Sequence, residues 1–87
     1  MGLKSPAQRT LFTLDMPKLP KAKEIIRVAQ QLGFRFSRQS GSHAILRHSD
    51  GRRITIPLHA GKEVGPALFN QILKDFKISK EKFWEIL

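Results

Sequence analysis

Proton-transfer chemistry in this sequence rests on three histidines, His43, His48 and His59. An imidazole titrates near neutrality and can take a proton from a ribose hydroxyl or return one. His43 directly follows Ser40-Gly41-Ser42 and opens an apolar–polar alternation, a place where glycine lets a ligand approach the backbone closely. On type and position alone a structural strand-opening histidine is the simpler reading. His48, before Ser49-Asp50-Gly51, and His59, after Pro57-Leu58, read as strand-end or loop residues. Their spacing matches no common zinc pattern, and no carboxylate cluster stands nearby for Mg²⁺. The chain has no cysteine, which excludes thiolate nucleophiles, Cys-based zinc sites and disulfides. Ser42 has no nucleophile-elbow context, and the only nearby acid is Asp50, so a Ser-His-Asp triad is not supported. No glycine-rich phosphate loop occurs.

The second chemical feature is positive charge. Sixteen Lys and Arg against seven Asp and Glu give 87 residues a formal charge of +9, which points to a polyanionic partner. From Arg27 to Lys62 there are seven basic residues (Arg27, Arg35, Arg38, Arg47, Arg52, Arg53, Lys62) and one acid, Asp50. Six of the seven are arginine, whose planar fork suits bidentate phosphate contact. Membrane binding is disfavoured, because no basic amphipathic helix carries the excess and no apolar run approaches a span. No secretory signal is expected at the N-terminus, and the reading is a soluble cytoplasmic protein.

These groups need a frame. Ala22, Ile25, Ile26, Ala29 and Leu32 fall at helical spacing and Gly33 follows, predicting a helix over about 22–32. Phe34–Arg38 alternates as a strand, with a turn at Gln39-Ser40-Gly41-Ser42. Strands follow at His43–His48 and Arg53–Leu58, joined through a three-residue Ser49-Asp50-Gly51 loop. That register pairs Leu46 with Ile54 and Ala44 with Ile56 on one face, and shows His43, Ile45, Arg47, Arg53, Thr55 and Pro57 on the other. A two-residue Asp-Gly turn would invert the parity. Gly65-Pro66 starts a second helix carrying Leu68, Phe69, Ile72, Leu73 and Phe76. Ser79 is a candidate N-cap for a final helical stretch, Lys80–Leu87. The fold class is α+β: α-β-β-β-α, a three-stranded antiparallel sheet with helices on one face and an extra C-terminal helical tail. Phe34, Phe36 and Trp84 could stack bases, but their spacing predicts core packing.

Several motifs then match a known family. Gly33-Phe34, Arg38-Gln39-Ser40-Gly41-Ser42-His43, Arg47-His48-x-Asp50-Gly51-Arg52-Arg53 and Ile56-Pro57-x-His59 resemble the HicA (YcfA-like) family of mRNA-cleaving toxins. The likeness continues through Lys62-Glu63-Val64-Gly65, Leu68-x-x-x-Ile72-Leu73-Lys74 and Ile78-Ser79-x-Glu81-x-Phe83. It begins at Met16-Pro17-Lys18-Leu19, leaving residues 1–15 as an N-terminal extension to a domain over 16–87. The resemblance implies a fold like the double-stranded-RNA-binding domain, mRNA cleavage with the histidine of Gly-Ser-His, here His43, as catalytic residue, and a HicB antitoxin that covers the toxin. Ala44 and Leu46 stand where relatives often carry polar or aromatic residues, so contacts beside the histidine are expected to differ.

The expected function is therefore a metal-independent endoribonuclease of a type II toxin–antitoxin system, with no cofactor. His43 would move the 2′-hydroxyl proton, supported by Ser42 or His59. Arg38, Arg47, Arg52, Arg53 and Lys62 would hold the RNA. The alternative from another class is a non-catalytic RNA-binding module of the same fold. A third reading is a small subunit whose basic face docks an acidic protein.

Overall fold

The computed structural model describes residues 18–59 and 61–87, so the extension expected at residues 1–15 lies outside the described residues. The element order is α1 (Ala22–Gln31), β1 (Phe34–Ser40), β2 (His43–His48), β3 (Arg53–Pro57), α2 (Pro66–Phe76) and α3 (Lys80–Ile86). The three strands form one antiparallel sheet in the order β1-β2-β3, with β2 central. This is the expected α+β arrangement with its C-terminal helical tail. Among the described residues, no helix is long and apolar enough to cross a membrane.

One core explains the arrangement. The stripe of α1 (Ala22, Ile25, Val28, Ala29) meets Phe34, Ala44, Leu46, Ile54 and Ile56 from the sheet, and Phe69, Ile72, Leu73, Phe76 and Phe83 from the C-terminal helices. Phe83 is fully buried and meets Phe69 edge-on at 5.0 Å, so the short α3 is held by its aromatic anchor. The chain before α1 is also docked. Pro20 is buried, its carbonyl accepts from the Val64 N–H at 2.8 Å, and the Lys18 ammonium lies 4.6 Å from the Trp84 ring centroid.

The expected boundaries are met at several ends. Pro66 opens α2 after Gly65, and Ser79 Oγ accepts from the Lys82 N–H at 3.0 Å to cap α3. The start of α1 lacks a capping hydroxyl; instead Glu24 Oε1 reaches back to the Lys21 N–H at 2.8 Å. Gly33 ends α1 at φ +97, and a Cβ there would lie 2.8 Å from His48 Nε2. Glycine is required twice over, by conformation and by crowding.

The end of α2 departs from the glycine rule. Lys77 takes a left-handed conformation at φ 61, with its N–H on the Lys74 carbonyl and the Ile78 N–H on that of Leu73. A side chain costs about 1–2 kcal/mol in this conformation, while glycine adds about 0.5–1 kcal/mol of unfolded-state entropy to be overcome. Lys77→Gly is thus expected to stabilise by about 0.5–1 kcal/mol, raising the melting temperature by about 2–8 °C. A thermal melt at or below that of the parent would refute this.

Candidate functional site

The β2–β3 ladder pairs His43 with Pro57, Ala44 with Ile56, Ile45 with Thr55, Leu46 with Ile54 and Arg47 with Arg53. It is closed by the His48 N–H on the Arg52 carbonyl at 2.9 Å, so Ser49-Asp50-Gly51 is the three-residue connection. Directly paired residues share a face. Ala44 and Leu46 are fully buried against the helices, and His43, Ile45 and Arg47 therefore project from the open face.

The β1–β2 ladder differs from the sequence expectation. β1 runs to Ser40, and only Gly41 and Ser42 form the turn. Gly41 has φ 59 with no atom within 4 Å of a would-be Cβ, so conformation rather than crowding demands glycine there. The Gln39 side-chain amide donates to the Gly41 carbonyl at 3.0 Å and braces the turn that delivers His43. The register also shifts between Phe36 and Arg38, leaving Ser37 as a bulge. Before it, Phe36 pairs with Leu46 on the helix side; after it, Arg38 pairs with Ile45 and Ser40 with His43 on the open face. Unbroken alternation would have put Arg38 on the same side as Phe36. Bulges commonly re-aim side chains in this way beside functional sites.

The open face thus carries three rows. Ser40, His43 and Pro57 form the first, Arg38, Ile45 and Thr55 the second, and Arg35, Arg47 and Arg53 the third. Strands lie about 4.8 Å apart, and successive same-face residues about 6.7 Å apart. Arg38 is diagonal to His43, a backbone separation of about 7–8 Å that a long side chain spans. His43 is exposed, as are all four arginines of these rows. Among the described residues, the ion pairs are Arg52–Asp50 and Lys82–Glu85, with the His48 ring also close to Asp50, and none of these contacts involves Arg35, Arg38, Arg47 or Arg53. Like charges directly opposite one another are destabilising, so the third row is held against its own repulsion. Ile45, beside these long side chains, is only 6% exposed although it lies outside the core cluster.

Other expected site residues fall elsewhere. Arg52 leaves the ladder: its Nε meets Asp50 Oδ2 at 2.8 Å, its Nη1 donates to the Asp75 carbonyl at 2.6 Å, and its guanidinium lies 5.0 Å from the Phe34 ring centroid. It ties the hairpin loop to the end of α2. Lys62 and His59 sit in the loop after β3, where the Lys62 N–H donates to the His59 carbonyl at 3.0 Å. Ser42 lies in the turn, its carbonyl accepting from the Leu58 N–H. Ser40, opposite His43, was not singled out by sequence; only the hairpin register identifies it. Ala44 and Leu46 are buried, so the expectation that they alter contacts beside the histidine is corrected: alternation turns them to the core. Phe36 is corrected too, being 52% exposed and not in the core.

His48 is bound at both ring nitrogens. Nε2 lies 3.1 Å from the Leu32 carbonyl oxygen, an acceptor only, which assigns its proton to Nε2. Nδ1 accepts from the Asp50 N–H at 3.1 Å and lies 3.0 Å from Asp50 Oδ1. Partial desolvation pushes the Asp50 carboxyl up, but the Arg52 backbone N–H and the Arg52 guanidinium together hold it below its ordinary value. As pH falls, the unfolded carboxyl binds its proton before the folded one does. The stabilisation is therefore complete above about pH 4 and is lost as pH drops through the depressed folded value. Denaturant midpoints between about pH 5 and pH 2.5 are expected to fall more steeply for the parent than for Asp50→Asn. Parallel acid dependence would refute the assignment.

Among the described residues, no group of three or more His, Asp or Glu side chains could hold a metal ion. In comparison with protein families, the chain matches the one described as HicA toxin of bacterial toxin-antitoxin, over residues 22–78. No individual curated protein matches it. The matched segment spans α1 through the end of α2 and contains every residue of the open face.

Proposed function

We propose that this chain, which belongs to the HicA toxin family, is the toxin of a type II toxin–antitoxin system and cleaves mRNA without a metal ion, using His43 as general acid–base. The observation that carries this reading is the open sheet face, where an exposed histidine shares one surface with four arginines that have no carboxylate partner among the described residues. His43 accepts the proton of a ribose 2′-hydroxyl, whose oxygen attacks the adjacent phosphorus. Arg38, diagonal to His43, is the cation best placed to stabilise the added negative charge of the phosphorane. The 5′-oxygen then leaves with a proton from water or from His59, giving a 2′,3′-cyclic phosphate and a free 5′-hydroxyl. His48 is not available for that step, since both its nitrogens are engaged. Ser40, across the ladder from His43, is positioned to orient the ribose, a role that Ser42 in the turn fills less directly.

Arg47 and Arg53, joined by Arg35, bind the RNA backbone, and Lys62 adds charge beyond the strand end. A HicB-type antitoxin in the cytoplasm silences the toxin by covering this basic face. The non-catalytic alternative draws on one observation: His43 has no hydrogen-bonded orienting partner among the described residues. Incubating the protein with labelled single-stranded mRNA fragments, with and without EDTA, separates these readings. Cyclic-phosphate products formed equally in both conditions support the nuclease. Retention of intact RNA in a salt-sensitive complex would mean a binding module, and loss of cutting in EDTA would mean a metal-dependent mechanism.

A further inference from the structure

Phe36 is the one large apolar side chain left exposed among the described residues. It lies in an open depression of about 750 Å³ at the end of the β1–β2 pair remote from its turn, and His43 is not among the residues that line it. Arg35 and Arg47 enter this depression from the open face, and Phe36 and His48 from the opposite side. Its walls are preorganised. The His48 ring is held at Nε2 by the Leu32 carbonyl and at Nδ1 by the Asp50 N–H, and it packs edge-on against the buried Phe34 at 5.0 Å. Neither arginine has an ion-pair partner among the described residues.

An exposed aromatic ring that lines one depression with two arginines lacking ion-pair partners is a combination that binds unpaired nucleotides, the ring stacking on a base while the cations take nearby phosphates. We infer that Phe36, with Arg35 and Arg47, forms a base-stacking subsite for single-stranded RNA. This rests on the RNA-cleaving reading and specifies its substrate. Phe36 pairs with Leu46, three residues from His43 along β2, or about 10 Å. At a stacked rise of about 3.4 Å per nucleotide, that displacement corresponds to at least about three nucleotides between the stacked base and the cleaved bond, because Phe36 and His43 lie on opposite sides of the sheet. A paired base has both faces covered by its neighbours and would first have to unstack, so the subsite selects unpaired RNA. The resemblance of the fold to a duplex-binding domain does not oppose this, because recognition follows from the side chains displayed and not from the fold. The same charge and exposed ring could instead meet an acidic protein, and the experiment distinguishes the two.

The probe is a labelled mixed-sequence oligoribonucleotide with 2′-O-methyl groups, which lack the attacking hydroxyl, tested single-stranded and annealed to its complement. Phe36→Ala is expected to weaken single-strand binding about fivefold to a hundredfold, to leave duplex affinity unchanged, and to be rescued by Phe36→Trp. Since the ring is half exposed, circular dichroism and melting should match the parent. Equal single-strand affinity of parent and Phe36→Ala overturns the subsite while leaving the nuclease reading intact, and assigns the ring to a protein contact if antitoxin binding falls instead. A parent that binds neither RNA form overturns the subsite and the nuclease reading together, a result distinct from the first.

Discussion

His43→Ala is expected to lower the rate of RNA cleavage by about 10²- to 10⁴-fold, the usual contribution of a positioned general acid–base. The fold should survive the change. His43 is exposed at the first position of β2, its ring has no hydrogen-bond partner among the described residues, and the core is built from Ala44 and Leu46 on the opposite face. RNA affinity should be nearly unchanged, because the proposed phosphate contacts are those of Arg38 and the Arg35–Arg47–Arg53 row. The predicted signature is lost turnover with retained binding and an unaltered melting temperature. His48→Ala should give the opposite pattern. It removes the bonds to Leu32 and Asp50 and the edge contact to Phe34, so it loses stability first and activity only as a consequence. If His43→Ala cleaves at the parental rate, or if His48→Ala loses turnover without losing stability, the catalytic assignment to His43 fails.

The contrast between these histidines marks how far the sequence could be read. Parity along His43–His48 and Arg53–Pro57, with the Ser49-Asp50-Gly51 loop, was enough to place His43 and Arg47 on the open face, because a one-residue slip would have buried arginine in place of leucine. The Ser79 cap and the Pro66 start were legible for similarly local reasons. The bulge at Ser37 was not. It changes pairing with a neighbouring strand and leaves no mark in the composition of Phe34–Ser40, yet it decides that Arg38 shares a face with His43 and that Ser40 pairs with it. Arg52 and Arg53 are adjacent and identical in type. Only the packing of α2 against the hairpin separates one that binds the Asp75 carbonyl from one that faces solvent. Phe36 was expected in the core because Phe34 is there at the same spacing. Periodicity specifies a side, but not whether a helix extends far enough to cover it.

The Arg35–Arg47–Arg53 row gives the second large effect, and its two parts have opposite signs. Three like charges directly across neighbouring strands repel, so the triple Arg→Gln variant, which keeps much of each polar stem, should be as stable as the parent or more stable by about 0.5–1 kcal/mol. RNA binding should move the other way. With each exposed guanidinium–phosphate contact contributing about 1 kcal/mol at physiological salt, removing three weakens binding by about 10²-fold. Each contact also releases counterions, so the slope of log K against log salt for single-stranded RNA should become shallower by about 2. Arg52→Gln is the internal control. Its guanidinium is committed to Asp50 and the Asp75 carbonyl, so its loss should lower stability and leave the salt slope almost untouched. A residue retained for packing cannot yield higher stability and weaker binding when removed, whereas one retained for a polyanion yields both. An unchanged salt slope in the triple variant would dissociate the arginine row from RNA, and a fall in stability would show that the row is structural.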